Sequence, residues 1–181
     1  IMFIKHPWHG IDPEFDHETI LSVVEISRGK RAKYEIDKAS GLLRLDRVLF
    51  TSFVYPINYG IFPRTLGEDG DPLDLLLLTQ VDVEPLCLAK VRPVGLLRMK
   101  DRGEGDDKII CVLPSDPSVA NITNIEHVPV SLEEEVKHFF QQYTSLEGKS
   151  VKVDDFYDKI EALKIIEASI LRYESKFGKF I

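Results

Sequence analysis

The residues with the densest chemistry lie in Gly67-Glu68-Asp69-Gly70-Asp71-Pro72-Leu73-Asp74, where three aspartates fall within six positions. Carboxylates held this close repel one another and raise each other's pKa unless a cation sits among them. Hard divalent ions such as Mg2+ suit such a set, because they take oxygen ligands and keep several waters. Pro72 keeps Asp71 away from helical angles, and Gly70 takes angles other residues avoid, so the acids have little freedom to spread. A second acidic loop, Asp101-Arg102-Gly103-Glu104-Gly105-Asp106-Asp107-Lys108, lies between two strand signals. Two Asp-bearing loops, each beside a buried strand, can meet at one mouth of a small barrel, which is what a multi-metal site requires. Taken alone, either loop also reads as an acidic surface turn.

The elements that must position these loops are mostly strands. Leu75-Leu76-Leu77-Leu78-Thr79 and Lys108-Ile109-Ile110-Cys111-Val112-Leu113 are short apolar runs that read as buried strands. Ile20 to Ile26 suits another strand, with Glu25 its one charge. Lys33-Tyr34-Glu35-Ile36-Asp37, a turn at Lys38-Ala39-Ser40-Gly41, and Leu42 to Leu49 read as a β-hairpin. Alternation puts Lys33, Glu35 and Asp37 on one face. Arg47 shares the parity of Leu43 and Leu45, so it needs a partner or a ligand on a face that is otherwise apolar. Tyr55 and Tyr59 fall in the aromatic stretch from Phe53 to Pro63, as core residues or as donors to an anion. Ser131-Leu132-Glu133-Glu134 reads as a capping box opening a helix whose stripe runs from Leu132 to Tyr143. A last helix spans roughly Lys159 to Lys176 and stops at Gly178. Residues 1–18 read as an irregular arm that packs on the surface, and His6 and His9 are left out of the site.

The 181 residues fit one domain over 1–181. Hydrophobic residues at 44% and charged ones at 29% exclude a disordered chain. A net charge of -7 argues against a nucleic-acid partner, and demands local cations if the ligand is a phosphate. Cys87 and Cys111 read as reduced core residues of a cytoplasmic protein. No signal-peptide pattern or bilayer-spanning apolar run is present, so no membrane partner is expected.

Several spaced motifs now stand in one order. Asp69-Gly70-Asp71-Pro72-Leu73-Asp74 matches the Asp-x-Asp-Pro-x-Asp signature of the soluble family I inorganic pyrophosphatases. Lys33-Tyr34-Glu35-Ile36-Asp37, Asp46-Arg47, Tyr55-Pro56, Asn58-Tyr59-Gly60, Arg92-Pro93-Val94-Gly95, Asp101 with Asp106 and Lys108, and His138-Phe139-Phe140 before Tyr143 extend the match. Nearly the whole chain after residue 20 resembles that family, in its short bacterial form. The resemblance implies a mainly β fold with flanking helices (α+β): a small five-stranded OB-like barrel with two main α-helices. It also implies Mg-dependent hydrolysis of pyrophosphate to two orthophosphates, by in-line attack of a metal-activated water. Mn2+ or Zn2+ would substitute for Mg2+, and the assembly would be a homo-oligomer, a hexamer.

Residue by residue, the resemblance makes Asp71 the general base. Asp69, Asp74 and Asp106 become ligands of the first metal, with Asp74 reaching a second. Asp101 with Asp106 holds the metal that arrives with substrate, and Glu25 and Glu35 are outer carboxylates. Lys33, Arg47, Lys108 and Tyr143 bind phosphate, and Tyr55 and Tyr59 donate hydroxyl bonds nearby. Two positions depart from the family pattern. Thr144 stands where a Lys commonly grips the leaving phosphate, with Lys149 a partial substitute. Arg102 replaces a position often acidic. Activity is expected to survive with weaker substrate binding.

Three rivals remain. A non-catalytic OB-like module that binds metal or a polyanion has no use for Arg47 and Asp71 aimed into one cavity. A nucleotide or polyphosphate hydrolase lacks support, because no Walker-type Gly-rich loop is present. An EF-hand-like calcium loop fails on the spacing of its Gly and closing Glu.

Overall fold

A computed structural model describes residues 5–149 and 151–179; the first four residues of the expected arm lie outside the described ones. Five strands close on themselves. β1 (Ile20–Ile26) pairs antiparallel with β4 (Asn58–Ile61), and β4 pairs antiparallel with β5 (Asp74–Leu78). β5 runs parallel to β8 (Lys108–Val112), β8 pairs with β6 (Leu88–Asp101), and β6 returns to β1. This ring is the five-stranded barrel expected from the resemblance. The apolar runs supply it: Leu75, Leu76, Leu77, Ile109 and Cys111 are fully buried.

β6 is long enough, at 14 residues, to serve several neighbours in turn. Its register shifts at Pro93/Gly95 against β8 and at Leu97/Met99 against β9 (Val151–Tyr157), which lies outside the ring. Such bulges bend a strand around a barrel corner. At its far end β6 pairs with the two-residue β7 (Glu104–Gly105), which shapes the second acidic loop. β4 presses so closely on β1 that a Cβ on Gly60 would stand 2.1 Å from the Val23 carbonyl oxygen.

Helix α1 (Val130–Gln142) buries Val136, Phe139 and Phe140 against a core shared with Leu97, Ile110 and Val112. It starts two residues earlier than a cap at Ser131 would allow, with Pro129 at the cap position and no side-chain cap, so the capping box at Ser131 is not used. The fixed proline φ of -58° leads the chain into the helix instead. Helix α2 (Lys159–Phe177) is capped by Asp158, which accepts from the Glu161 N–H at 3.0 Å, and ends at Gly178 with φ 90°. Its Ala162 and Ile166 close a second core cluster, with Leu75, Leu77 and Cys111. Cys87 is exposed rather than core: it lies in the turn before β6, outside the ring.

β2 (Ala32–Ile36) and β3 (Leu43–Val48) form a separate two-stranded sheet, the expected hairpin. A register shift between Lys33 and Tyr34 breaks simple alternation, and Leu45 is solvent-exposed. The arm packs as expected, with Trp8 buried against Ile36, Ile61 and Tyr173. Among the described residues no helix is long and apolar enough to cross a membrane.

Candidate active site

The parallel pairing of β5 and β8 sets Asp74 and Lys108 side by side at the same end of the barrel. Asp106 lies two residues earlier on the same chain as Lys108. The Lys108 ammonium donates to Asp74 Oδ2 at 2.6 Å and to Asp106 Oδ1 at 2.9 Å, with the Tyr59 hydroxyl 3.4 Å away. Lys108 is almost fully buried, so this is a charged network inside the fold, not a surface pair.

The first acidic loop is held by its own side chains. Asp69 Oδ1 accepts the Asp71 N–H at 3.0 Å, and Gly67 N donates to the Asp71 carbonyl at 2.7 Å. Gly70 takes φ +84°, as its type allows. A Cβ on Gly105 would lie 2.7 Å from Glu68 Oε2, so the two acidic loops touch, as expected.

Together they border a cavity of about 490 Å3. It brings together Glu25, Lys33, Glu35, Tyr55, Tyr59, Asp69, Asp71, Asp74, Asp101, Asp106, Lys108 and Tyr143. Of the residues expected at the site, only Arg47 is off its wall. Arg47 instead donates from Nε to Glu147 Oε1 at 3.0 Å and from Nη1 to Asp46 at 2.5 Å. Lys149 pairs with the same Glu147 at 2.9 Å, and Thr144 is buried beside Tyr143. Sequence reading missed Lys38 and Arg44, which also line the cavity. Lys38 sits in a turn where strand parity says nothing, and Arg44 stands opposite Glu35 through a hairpin register that the sequence pattern does not fix.

The electrostatics follow from burial and crowding. Burial pushes Glu25 up to about 8; its bond from the Ile36 N–H (2.6 Å) opposes this, while Asp74 and Glu35 add to it. Burial also lifts Asp106 to about 7, partly offset by the Lys108 ammonium. Asp69 is raised by burial, with the Asp71 and Asp74 charges adding to it. Burial disfavours the charge on Lys108, yet Asp106 and Asp74 hold its pKa well above the ordinary range. Tyr143 is pushed up to about 12 by burial, and Tyr55 and Tyr59 higher still, so all three remain hydroxyl donors.

A donor set made only of carboxylates, with Glu25, Asp69 and Asp106 raised by burial and then by neighbouring charges, fits a hard divalent cation, which would offset both. Among the described residues, no three Asp, Glu, His or Cys side chains are drawn into one ligating group. Asp69, Asp74 and Asp106 share the cavity, with the Lys108 ammonium between the last two.

A closed five-stranded ring carrying a carboxylate cavity edged with lysines and tyrosines is a site suited to a small phosphate anion held through cations. A family model for inorganic pyrophosphatase matches residues 22–174. Soluble inorganic pyrophosphatase 2 of Chlamydomonas reinhardtii is 45% identical over 174 residues, covering 96% of this chain and 91% of that protein. The crystal structure of the Thermus thermophilus inorganic pyrophosphatase superposes with a TM-score of 0.89 at 39% identity, covering 94% of this chain and 99% of that one. The Helicobacter pylori enzyme gives 0.87 at 39% identity, over 91% and 98%. The chain belongs to the inorganic pyrophosphatase family. Its relatives include an algal protein as well as bacterial ones, so the similarity does not single out a bacterial form.

Proposed function

We propose that this protein hydrolyses inorganic pyrophosphate to two orthophosphates in the cavity between the acidic loops, with Asp71 as general base. The observation that carries the reading is the convergence of both loops, Lys33, Lys108 and three tyrosines on one cavity. Divalent cations, Mg2+ with Mn2+ or Zn2+ as substitutes, would be held by Asp69, Asp74, Asp101 and Asp106 with Glu25 and Glu35 around them; they supply positive charge against the polyanion and acidify water.

Asp71 accepts one proton from the attacking water as its oxygen bonds to phosphorus and the bridging P–O bond breaks. Lys33 and Lys108 face the charge that builds on the departing orthophosphate, and Tyr55, Tyr59 and Tyr143 donate hydroxyl bonds to phosphate oxygens. Arg47 joins them when substrate draws its guanidinium from Glu147, since bidentate phosphate contacts suit that group.

Phosphate release from Mg-pyrophosphate, Mg-ATP and a blank tests the reading. Release from pyrophosphate alone is expected. Asp71→Asn and Asp74→Asn should each lower kcat by roughly a hundredfold or more while circular dichroism stays native. Folded protein without turnover in any divalent metal would leave the non-catalytic binding module standing. A cytoplasmic homohexamer belongs to the same proposal, and light scattering checks its size.

A further inference from the structure

Lys38 lies at the tip of the β2–β3 hairpin, outside both strands, yet it lines the cavity. Its ammonium makes an ion pair with Asp71 Oδ1. The tip that carries it is fixed from within. Asp37 Oδ2 accepts from the Ser40 N–H at 2.9 Å and from its hydroxyl at 2.6 Å. Gly41 N donates to the Asp37 carbonyl and Asp37 N to the Leu42 carbonyl, both at 2.8 Å.

The tip is also held from outside, by the N-terminal arm. His6 Nε2 lies 3.1 Å from the Lys38 carbonyl oxygen, and a Cβ on Gly41 would meet the His6 ring at 2.9 Å. The arm is pinned in turn, because buried Trp8 donates from Nε1 to the Thr65 carbonyl at 2.8 Å. Thr65 Oγ1 then accepts the Leu73 N–H at 2.9 Å, two residues from Asp71. Contacts thus run from the acidic loop through Thr65, Trp8 and His6 to the hairpin tip. They return to the loop through Lys38.

We propose that Lys38 is a positioning residue for pyrophosphate hydrolysis, holding the Asp71 carboxylate towards the attacking water. The inference rests on the reading of Asp71 as general base. Asp71 shares its loop with Asp69 and Asp74, whose like charges push its carboxylate away from them. A cation fixed on the opposite wall counters that push and selects one orientation. Both partners are about half exposed, at 56% and 51%, so the pair contributes little to stability and its effect lies in the rate.

The test is a double-mutant cycle in steady-state kinetics with Mg-pyrophosphate. Lys38→Met should lower kcat roughly tenfold and leave KM within about twofold, with unchanged Tm, because orientation matters at the transition state. Lys38→Arg should restore most of the rate. Added to Asp71→Asn, Lys38→Met should cost nothing further, since residues acting through one another are not additive. An undiminished loss in the Asp71→Asn background overturns the inference, as does a raised KM with kcat unchanged, which would make Lys38 a phosphate ligand. If Asp71→Asn loses turnover and Lys38→Met does not, the Lys38 inference alone falls. If Asp71→Asn keeps full turnover, the base assignment falls and the inference with it.

Discussion

The barrel mouth and the β2–β3 hairpin face each other across one cavity, yet they hold charge in opposite ways. At the mouth, Lys108 is buried and locked between Asp74 and Asp106 by strand register. On the hairpin, Lys33 sits 3.7 Å from Glu35 and 3.6 Å from Asp46, and Arg44 pairs with Asp37, all with partial or full exposure. A buried pair is costly to break, because the group left behind has no water to turn to. An exposed pair is worth about 0–1 kcal/mol and re-forms easily with another partner. The mouth therefore supplies fixed charge, and the hairpin supplies charge that can be handed to an arriving anion and taken back.

The largest test compares two glycines. Gly60→Ala would press a methyl onto the β1 backbone, against the Val23 oxygen and 2.9 Å from Val24 Cα. No side-chain rotation relieves that contact, so a loss on the order of 4 kcal/mol is expected. Gly41→Ala on the hairpin, at φ +72° and against the His6 ring, should cost only about 1–2 kcal/mol. Equal losses in urea unfolding would mean that the barrel is no more rigid than its hairpin.

Next come the two lysines. Lys108→Met leaves two largely, though not fully, buried carboxylates without their cation and should cost about 3 kcal/mol in metal-free buffer. Mg2+ should then raise the Tm of this variant more than that of the parent, because a cation is newly needed there. Lys33→Met should cost less than about 1 kcal/mol while still raising KM. An identical Mg2+ shift in parent and Lys108→Met would separate Lys108 from the carboxylates' need for charge. A smaller effect is expected from Thr144→Lys, which moves a phosphate-gripping charge onto the packed end of α1. It should lower KM a few-fold, roughly the worth of one charge-assisted bond offset by the cost of a buried site. An unchanged KM would show that the Arg47–Glu147–Lys149 group already does this work.

The same division decides what the sequence disclosed. The barrel and the mouth were legible because short apolar runs have one way to be buried, and the acids at their ends go wherever the strands go. Asp74, Asp106 and Lys108 needed only that. The hairpin was legible together with Lys33 and Glu35, but Lys38 was not: it meets Asp71 directly from a turn tip that its own bonds and His6 hold in place, and none of these carries a periodic signal. Arg47 shows the converse. Its parity flagged a charge in need of a partner, but nothing local indicated Glu147, which comes from beyond α1. Cys87 failed for a similar reason, since an apolar neighbourhood in sequence does not distinguish a strand from the turn that feeds it.

The smallest effect tests the barrel's β5 end away from the acidic loop, where charge serves structure alone. Asp116 accepts from the Gln80 N–H at 2.8 Å, the Thr79 hydroxyl at 2.7 Å, and the Ser118 N–H and hydroxyl at 2.9 and 2.7 Å. These bonds, the Gln80 N–H first, hold its pKa far below the ordinary carboxylate range. A group whose folded pKa is depressed contributes stability above its unfolded pKa, near about 4, and loses it as pH falls through the folded value. Asp116→Ala should therefore be less stable than the parent at pH 7, and the two unfolding curves should converge as pH drops below about 4. Because the contacts tie the end of β5 to the turn after β8 and not to the cavity, kcat and KM at neutral pH should stay unchanged. A gap that persists undiminished in acid would assign the loss to packing rather than to the carboxylate's charge.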